Sequence, residues 1–173
     1  QNHVDIAIRR ALHQGLRGWE VVDLKVTLVE GEDHSIHTHP LDFFVCTPMA
    51  FMDGLRNIGT KLLEPFYSFD IMVPSQFGPR IMGELLNMRA VLESSEEIDG
   101  FITLKGSVPV VTSIDFNDRL MSMTKGEGVL QLDFSHYDDA PEDCDASIPY
   151  EGVNPLDRSK FILYARNALN EQI

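Results

Sequence analysis

The sequence is poor in cysteine, in tryptophan and in basic side chains. Its 173 residues include two cysteines and one tryptophan. Two cysteines cannot form a disulfide framework, and they fit a reducing, cytoplasmic compartment. Lysine and arginine number 14 against 27 aspartates and glutamates, which leaves a net charge of −13 at pH 7. This deficit of basic side chains argues against general binding to nucleic acid, because neutralising phosphates requires clustered lysines and arginines.

Long apolar runs are also missing. No stretch approaches the roughly 18 consecutive apolar residues that a membrane helix needs. The first ten residues lack the apolar centre of a signal peptide, so we expect no membrane partner. Hydrophobic residues make up 43% of the chain and charged residues 24%, which is the composition of a globular protein with a real core.

The first part of the chain shows the patterns of a helix, a strand and a second helix. Apolar residues recur every four positions at the start and predict a helix over 3–17. Alternating apolar residues predict a half-buried strand over 20–29. A second helix is predicted over 40–58, with Pro40 in its first turn and Gly59 just after its end.

A different pattern begins after Pro65. Strands are predicted at 66–73, 90–94, 101–108 and 128–135, helices at 75–88 and 113–124, and a turn at 94–100. The order β-α-β-β-α-β is that of the split ferredoxin-like unit. Two helices should cover one face of its sheet. The other face should be polar and open to water, and it carries Ser68, Asp70, Thr103, Lys105, Gln131 and Asp133.

An acidic stretch separates this unit from a closing helix. Asp138, Asp139, Glu142, Asp143 and Asp145 lie close together and repel one another, which is typical of a solvated linker. A helix is predicted over 155–169, with an apolar stripe that must dock on something. The predicted domains are 1–63, 65–137, an acidic linker at 138–153 and a C-terminal helix at 154–171.

Three histidines in the loop before Pro40 are candidate metal ligands. Imidazoles spaced as His34, His37 and His39 could bind zinc or nickel. No cysteine and no helical pair fixes their geometry, and exposed loop histidines are the commoner explanation. A metal-binding module based on this histidine-rich loop stays an alternative.

No nucleotide-binding motif is present. Residues 54–61 nearly match a phosphate-binding loop, but the order Gly-Thr-Lys replaces Gly-Lys-Ser/Thr and the segment ends a helix instead of opening one. The sequence also offers no nucleophile elbow, so we predict no catalytic residues in this chain. A short basic series, Arg9, His13 and Arg17, falls on one face of the first predicted helix; it is either a solvated face or a phosphate-facing stripe.

Several blocks identify a family. They are Leu62-Leu63-Glu64-Pro65, PSQFGPRIMGELLNMR at 74–89, SMTKG at 122–126, FSHYDDAP at 134–141, and the loop GEDHSIHTHPLDF at 31–43. Together they resemble the C-terminal part of translational GTPases of the elongation factor G type. The chain looks close to the tetracycline-resistance ribosomal protection proteins, and the resemblance covers essentially the whole sequence.

The resemblance implies an α+β architecture. Residues 1–63 would form an α-β-α half of domain four, residues 65–137 a ferredoxin-like domain five, and residues 155–169 an extra C-terminal helix. It also implies a ribosome-binding fragment of a longer parent. The parent would bind GTP and Mg, its N-terminal GTPase domains would be partners of this part, and no cofactor would be held here.

The resemblance further implies which residues contact the ribosome, through its RNA and its proteins. The tip loop of domain four would supply the main contacts, His34, Ser35, Ile36 and His37. Secondary phosphate contacts would come from Arg9, His13, Arg17, Arg158 and Lys160. A third class stays open, in which the chain is a stand-alone interaction protein that pairs through its ferredoxin-like sheet.

Overall fold

The structure is a computed structural model, and it describes residues 2–32, 34 and 36–168. The chain divides into two compact units. Unit one comprises Gln1–Thr60 and Asp145–Ile173, and unit two comprises Lys61–Cys144. In chain order the helices and strands are α1 (Asn2–Ala11), α2 (Pro40–Ile58), β1 (Leu63–Pro74), α3 (Gly78–Asn87), β2 (Val91–Ile98), β3 (Phe101–Pro109), α4 (Val110–Ser113), α5 (Phe116–Met123), β4 (Val129–Asp139) and α6 (Arg158–Ala165).

The first helix is shorter than the sequence predicts. It ends at Ala11, because the chain turns back on itself immediately afterwards. The Val21 N–H donates to the Leu12 carbonyl and the Gly15 N–H to the Trp19 carbonyl, each at 2.7 Å. Glycine suits position 15, where a Cβ would lie 2.5 Å from Val21 Cγ2. The helix predicted over 3–17 is therefore wrong beyond Ala11.

The strand predicted over 20–29 does not form among the described residues. Its alternating apolar side chains are exposed: Val22, Leu24, Val26 and Leu28 each retain between 39% and 52% of their accessible surface. Alternating apolar and polar residues indicate a segment that could be buried on one side. A strand also needs a neighbouring strand to pair with its N–H and C=O groups. The described part of unit one contains no other strand.

The second helix forms as predicted. Pro40 occupies its first turn, and the N–H of His39 donates to the Asp42 carboxylate at 2.8 Å. The N–H of Gly59 closes the last turn on the Leu55 carbonyl at 2.8 Å, with Gly59 at a φ of 83°. Glycine suits this position, because other residues pay a steric cost at positive φ.

The closing helix is shorter than predicted and belongs to unit one. It runs from Arg158 to Ala165, and the side chain of Asp157 accepts from the Lys160 N–H. It packs against α2. Leu169, the last position of the predicted apolar stripe, lies outside the described residues.

Part of the predicted acidic linker is hydrogen-bonded within unit one. The indole N–H of Trp19 donates to the Ala146 carbonyl at 3.2 Å. The Ile148 N–H donates to the Arg17 carbonyl at 3.0 Å, and the Glu151 N–H donates to the Gln14 side chain at 2.7 Å. This stretch is therefore attached to the unit that carries α1.

Unit two is the predicted ferredoxin-like fold. Its four strands form one antiparallel sheet in the order β2-β3-β1-β4, and its helices pack on one face. The buried core contains Phe69, Ile71, Val73, Ile81, Leu85, Met88, Leu104, Val108, Phe116, Leu120 and Met123. The α+β fold class predicted from the sequence is confirmed.

Several elements of unit two differ from the prediction. Strand β4 runs to Asp139, so Asp138 and Asp139 of the predicted acidic linker are strand residues paired with β1. Strand β2 extends to Ile98, so most of the predicted turn at 94–100 is strand and only Asp99-Gly100 makes the turn. All eight residues of β2 are exposed, which explains why no apolar alternation marked it. The helix predicted over 113–124 corresponds to α5, which starts later, at Phe116, and a separate short helix, α4, precedes it. The predicted end of the helix at Lys125 and Gly126 is confirmed by their positive φ angles.

A bidentate ion pair joins Arg89, just after α3, to Glu64 at the start of β1, and we call this pair the fork. Both terminal nitrogens of Arg89 donate to the Glu64 carboxylate, at 2.6 and 2.8 Å. This hydrogen bond is the main reason that the pKa of Arg89 is raised. Glu64 retains only 12% of its side-chain surface, whereas Arg89 retains 41%, so water screens one side of the pair.

Substituting Arg89→Lys should therefore lower the free energy of unfolding by about 0.5–1 kcal/mol, because lysine cannot form the two parallel bonds. Arg89→Lys keeps the charge, and both residues meet the same cost at the φ of 62°. Urea unfolding followed by circular dichroism measures the change. Arg80→Lys on exposed α3 surface is the control. Equal midpoints for the two variants would show that the fork adds no stability.

Candidate functional site

The loop before α2 forms a tight turn that we call the tip turn, His34 and 36–38. The N–H groups of His37 and Thr38 both donate to the His34 carbonyl, at 3.1 and 2.9 Å. The His34 N–H donates to the Thr38 hydroxyl at 2.8 Å. These bonds preorganise the turn. Ser35, the fourth predicted contact residue of this loop, lies outside the described residues.

The tip turn presents an aromatic pair and an apolar side chain to solvent. The rings of His34 and His37 stack with centroids 4.7 Å apart and an interplanar angle of 27°. The Nδ1 of His34 also accepts from the Ile36 N–H at 3.3 Å. Ile36 itself retains 71% of its surface. A flat ring pair beside an exposed apolar group is suited to stacking on planar, apolar ligand surfaces such as bases.

The tip turn lies just before helix α2, and this helix packs against α1. The first two turns of α2 place Phe43 and Phe44 against α1, where the ring of His3 stacks on Phe43 with centroids 6.3 Å apart. The guanidinium of Arg10 lies 5.4 Å from the centroid of the Phe44 ring, a cation–π distance. The turn is thus held at the end of a helix that is anchored to its neighbour.

The structure gives no support to a metal centre in this loop. Across residues 2–32, 34 and 36–168, no three His, Cys, Asp or Glu side chains converge so that they could hold a metal ion. His39 opens α2, and its N–H donates to Asp42. The histidine-rich loop is organised around ring stacking and a helix start.

The first group of predicted phosphate contacts does not form one stripe. Arg9 lies on α1 and its Nε donates to Asp5 at 3.0 Å. His13 and Arg17 lie in the turns beyond Ala11, where the helical spacing no longer applies. The prediction of a shared helix face is therefore wrong, although His13 and Arg17 are both exposed.

The second group pairs with carboxylates of unit one. Arg158 donates to Asp53, which also accepts from Arg56 at 2.5 Å. The Nζ of Lys160 lies 3.4 Å from the carboxylate of Asp157, the N-cap residue of α6. Arg158 and Lys160 keep 62% and 69% of their side-chain surface. Arg158 thus links α6 to α2, a role that its sequence position did not reveal.

The structure also contains aromatic pairs that the sequence analysis did not single out. On β4, Phe134 and Tyr137 have ring centroids 5.4 Å apart, and both are exposed. The neighbouring His136 stacks on Phe66 at 5.1 Å. The block FSHYDDAP contained these residues, but only the pairing of β1 with β4 brings Phe66 to them.

Among the residues that the structure describes, no helix combines the length and the hydropathy needed to cross a bilayer.

Comparisons with known proteins agree with the two units. A family model described as "Elongation factor G, domain IV" matches residues 1–58, and one described as "Elongation factor G C-terminus" matches residues 61–147. The tetracycline resistance protein TetP of Clostridium perfringens is 33% identical over 171 residues, which are 99% of this chain and 26% of that protein. The crystal structure of ttk003000868 from Thermus thermophilus matches with a TM-score of 0.76 at 20% identity, over 96% of this chain and 24% of the other.

The chain thus spans about a quarter of the length of both relatives. The C-terminal family model alone covers half of the chain, and the domain IV model covers nearly all of the residues before it. The chain belongs to the elongation factor G family, of which it contains domain IV and C-terminal sequence.

Proposed function

We propose that this chain is the ribosome-contacting part of a translational GTPase, with the tip turn directed toward the decoding centre. Its partners would be ribosomal RNA, ribosomal proteins and the GTPase domains of a longer parent, in the cytoplasm. The parent would bind GTP and Mg in those other domains. Membership of the elongation factor G family supports this proposal.

The observation that carries the proposal is the geometry of the tip turn. The His34 carbonyl accepts two hydrogen bonds and the His34 N–H donates one, and these bonds hold the tip turn in shape before any ligand binds. It exposes the stacked rings of His34 and His37 together with Ile36. Stacking on unpaired bases is a common way for proteins to contact RNA, and it needs no large positive charge. This suits a chain with a net charge of −13.

The mechanism would be steric and mechanical. The GTP-bound parent would bring the loop at 31–39 to the space between the ribosomal subunits, and GTP hydrolysis would drive it fully into that space. There the tip turn would occupy a site close to RNA or to a bound drug. The similar protein TetP is a tetracycline resistance protein, which suggests a site close to a bound drug for this family member. Arg9, His13, Arg17, Arg158 and Lys160 would add phosphate contacts.

Ribosome pelleting of the full-length parent tests the proposal. With a non-hydrolysable GTP analogue we expect the parent to sediment with ribosomes, and with GDP we expect it to stay in the supernatant. The nucleotide dependence separates a gated contact from non-specific adhesion. Failure to co-sediment with the GTP analogue would contradict the proposed function as a whole.

A further inference from the structure

The sheet face opposite the helices of unit two carries a shallow polar cavity of about 280 Å³. The strand register explains how the cavity forms. Asp70 on β1 lies opposite Lys105 on β3 and opposite Gln131 on β4. Side chains of these paired positions stand on the same face. The cavity is lined by Ser68, Asp70, Glu93, Lys105, Gln131 and Asp133.

The cavity has an excess of negative charge. Lys105 Nζ lies 2.7 Å from the Asp70 carboxylate, and this contact raises the pKa of Lys105. Asp133 accepts from the Gln131 side chain at 2.8 Å. Within the part of the chain that the structure describes, neither Asp133 nor Glu93 has a cationic partner. The cavity lining therefore has three carboxylates and one ammonium group, and its net negative charge would attract a positively charged ligand.

An apolar row borders the cavity on the same face. Met72, Phe101 and Val129 lie an even number of positions along their strands from Asp70, Lys105 and Gln131. They therefore point to the same side of the sheet. Ile98 pairs with Phe101 and belongs to the same row. All four side chains are exposed: Met72 retains 43% of its surface, Phe101 46%, Val129 55% and Ile98 65%.

Charge decides between the possible occupants of this face. RNA would bring phosphates against Asp70, Asp133 and Glu93. Phe66 also stands on this face but is only 8% exposed, so Phe101 is the one strongly exposed phenylalanine, tyrosine or tryptophan among the described residues of this face. A basic polypeptide would instead place ammonium or guanidinium groups at the carboxylates and its apolar side chains on the adjacent row. Complementary potential of this kind gives an interface its register and its specificity.

We propose that the open face of the sheet, defined by the cavity and the apolar row, docks a protein segment that carries lysine or arginine next to apolar residues. The segment binds by charge pairing with Asp133, Glu93 and Asp70, and by burial of Phe101 and Met72. This inference does not depend on the tip turn, which belongs to unit one.

The test uses the 173-residue chain and a short synthetic peptide of alternating lysine and valine, at near-physiological salt. NMR shift mapping should place the peptide on β1, β3 and β4 around Asp70 and Asp133. In the variant D70N/D133N we expect affinity for the peptide to fall by about tenfold or more, in line with the loss of close charge pairs at interfaces. Oligouridine should give no shifts on this face.

The matched control is D118N/D143N, which removes the same two charges from unit two outside the open face. It should change affinity less than about twofold if the cavity is the site, since rim charges away from a contact contribute little. Thermal unfolding verifies that both variants remain folded. The proposal is overturned if the two variants weaken binding equally, if the shifts map elsewhere, or if oligouridine binds the face. Because ribosomes are absent from this assay, its outcome is independent of the pelleting experiment.

Discussion

Replacing Phe116 with alanine is expected to destabilise unit two by about 3–5 kcal/mol, the cost of deleting a fully buried aromatic side chain and leaving a cavity. Phe116 opens α5 and retains none of its accessible surface. Its ring packs in the core beneath the sheet, and the guanidinium of Arg119 lies 5.9 Å from the ring centroid. The alanine variant loses both the packing and this contact.

Native-state hydrogen exchange measures this loss within unit two. Protection of the β1 and β3 amides should fall by a factor of about 100–4000, since each 1.4 kcal/mol changes the open population tenfold. Phe101→Ala is the matched control, because the same side chain is removed from an exposed position on the opposite face. We expect it to cost less than about 1 kcal/mol. Similar losses for both variants would contradict the assignment of Phe116 to the core.

The fold of unit two could be predicted where burial marks one side of each element. Alternation along β1, with Phe69, Ile71 and Val73 inward, predicted this strand and its buried face. Strand β2 was predicted only at 90–94, and its extension to Ile98 was missed because the strand lies at the edge of the sheet and is exposed on both sides. Its length depends on hydrogen bonds to β3, and a single sequence carries little signal for such long-range pairing.

Unit one was harder to predict, since contacts distant in sequence override its local patterns. The apolar repeat continues to Leu16, yet the chain leaves the helix after Ala11 because Val21 returns to bond Leu12. The same kind of limit applies to α6. Its ion pair between Arg158 and Asp53 spans 105 positions, and no spacing rule predicts it.

The candidate site was only partly visible in the sequence. The cluster of His34, Ile36 and His37 stood out, and the resemblance suggested its use. The stacking of the two rings and the bonds to the His34 carbonyl depend on backbone geometry that composition does not encode. The open sheet face was predicted to be polar. Its apolar row at Met72 and Phe101 became evident only from the register and the exposure of the strands.

The last prediction concerns the tip turn itself. In the full-length parent, the double substitution H34A/H37A should weaken ribosome binding by about ten- to a hundredfold, since one stacked base is worth about 1–3 kcal/mol. The substitutions remove both rings and the bond from the Ile36 N–H to His34 Nδ1, while the backbone bonds that form the turn remain available. Titrated pelleting with the GTP analogue gives the affinity.

Two further variants separate ring stacking from other effects of the histidines. H34F/H37F keeps two stackable rings and removes the titratable nitrogens, so it should retain most of the wild-type affinity if stacking carries the contact. If the phenylalanine pair binds as weakly as the alanine pair, imidazole hydrogen bonding or charge carries it instead. The double variant Q76A/N117A changes two exposed polar residues of unit two and should bind like wild type. Wild-type affinity for H34A/H37A, in a parent that does sediment with ribosomes, would place the contact outside the tip turn and leave the ribosome as partner.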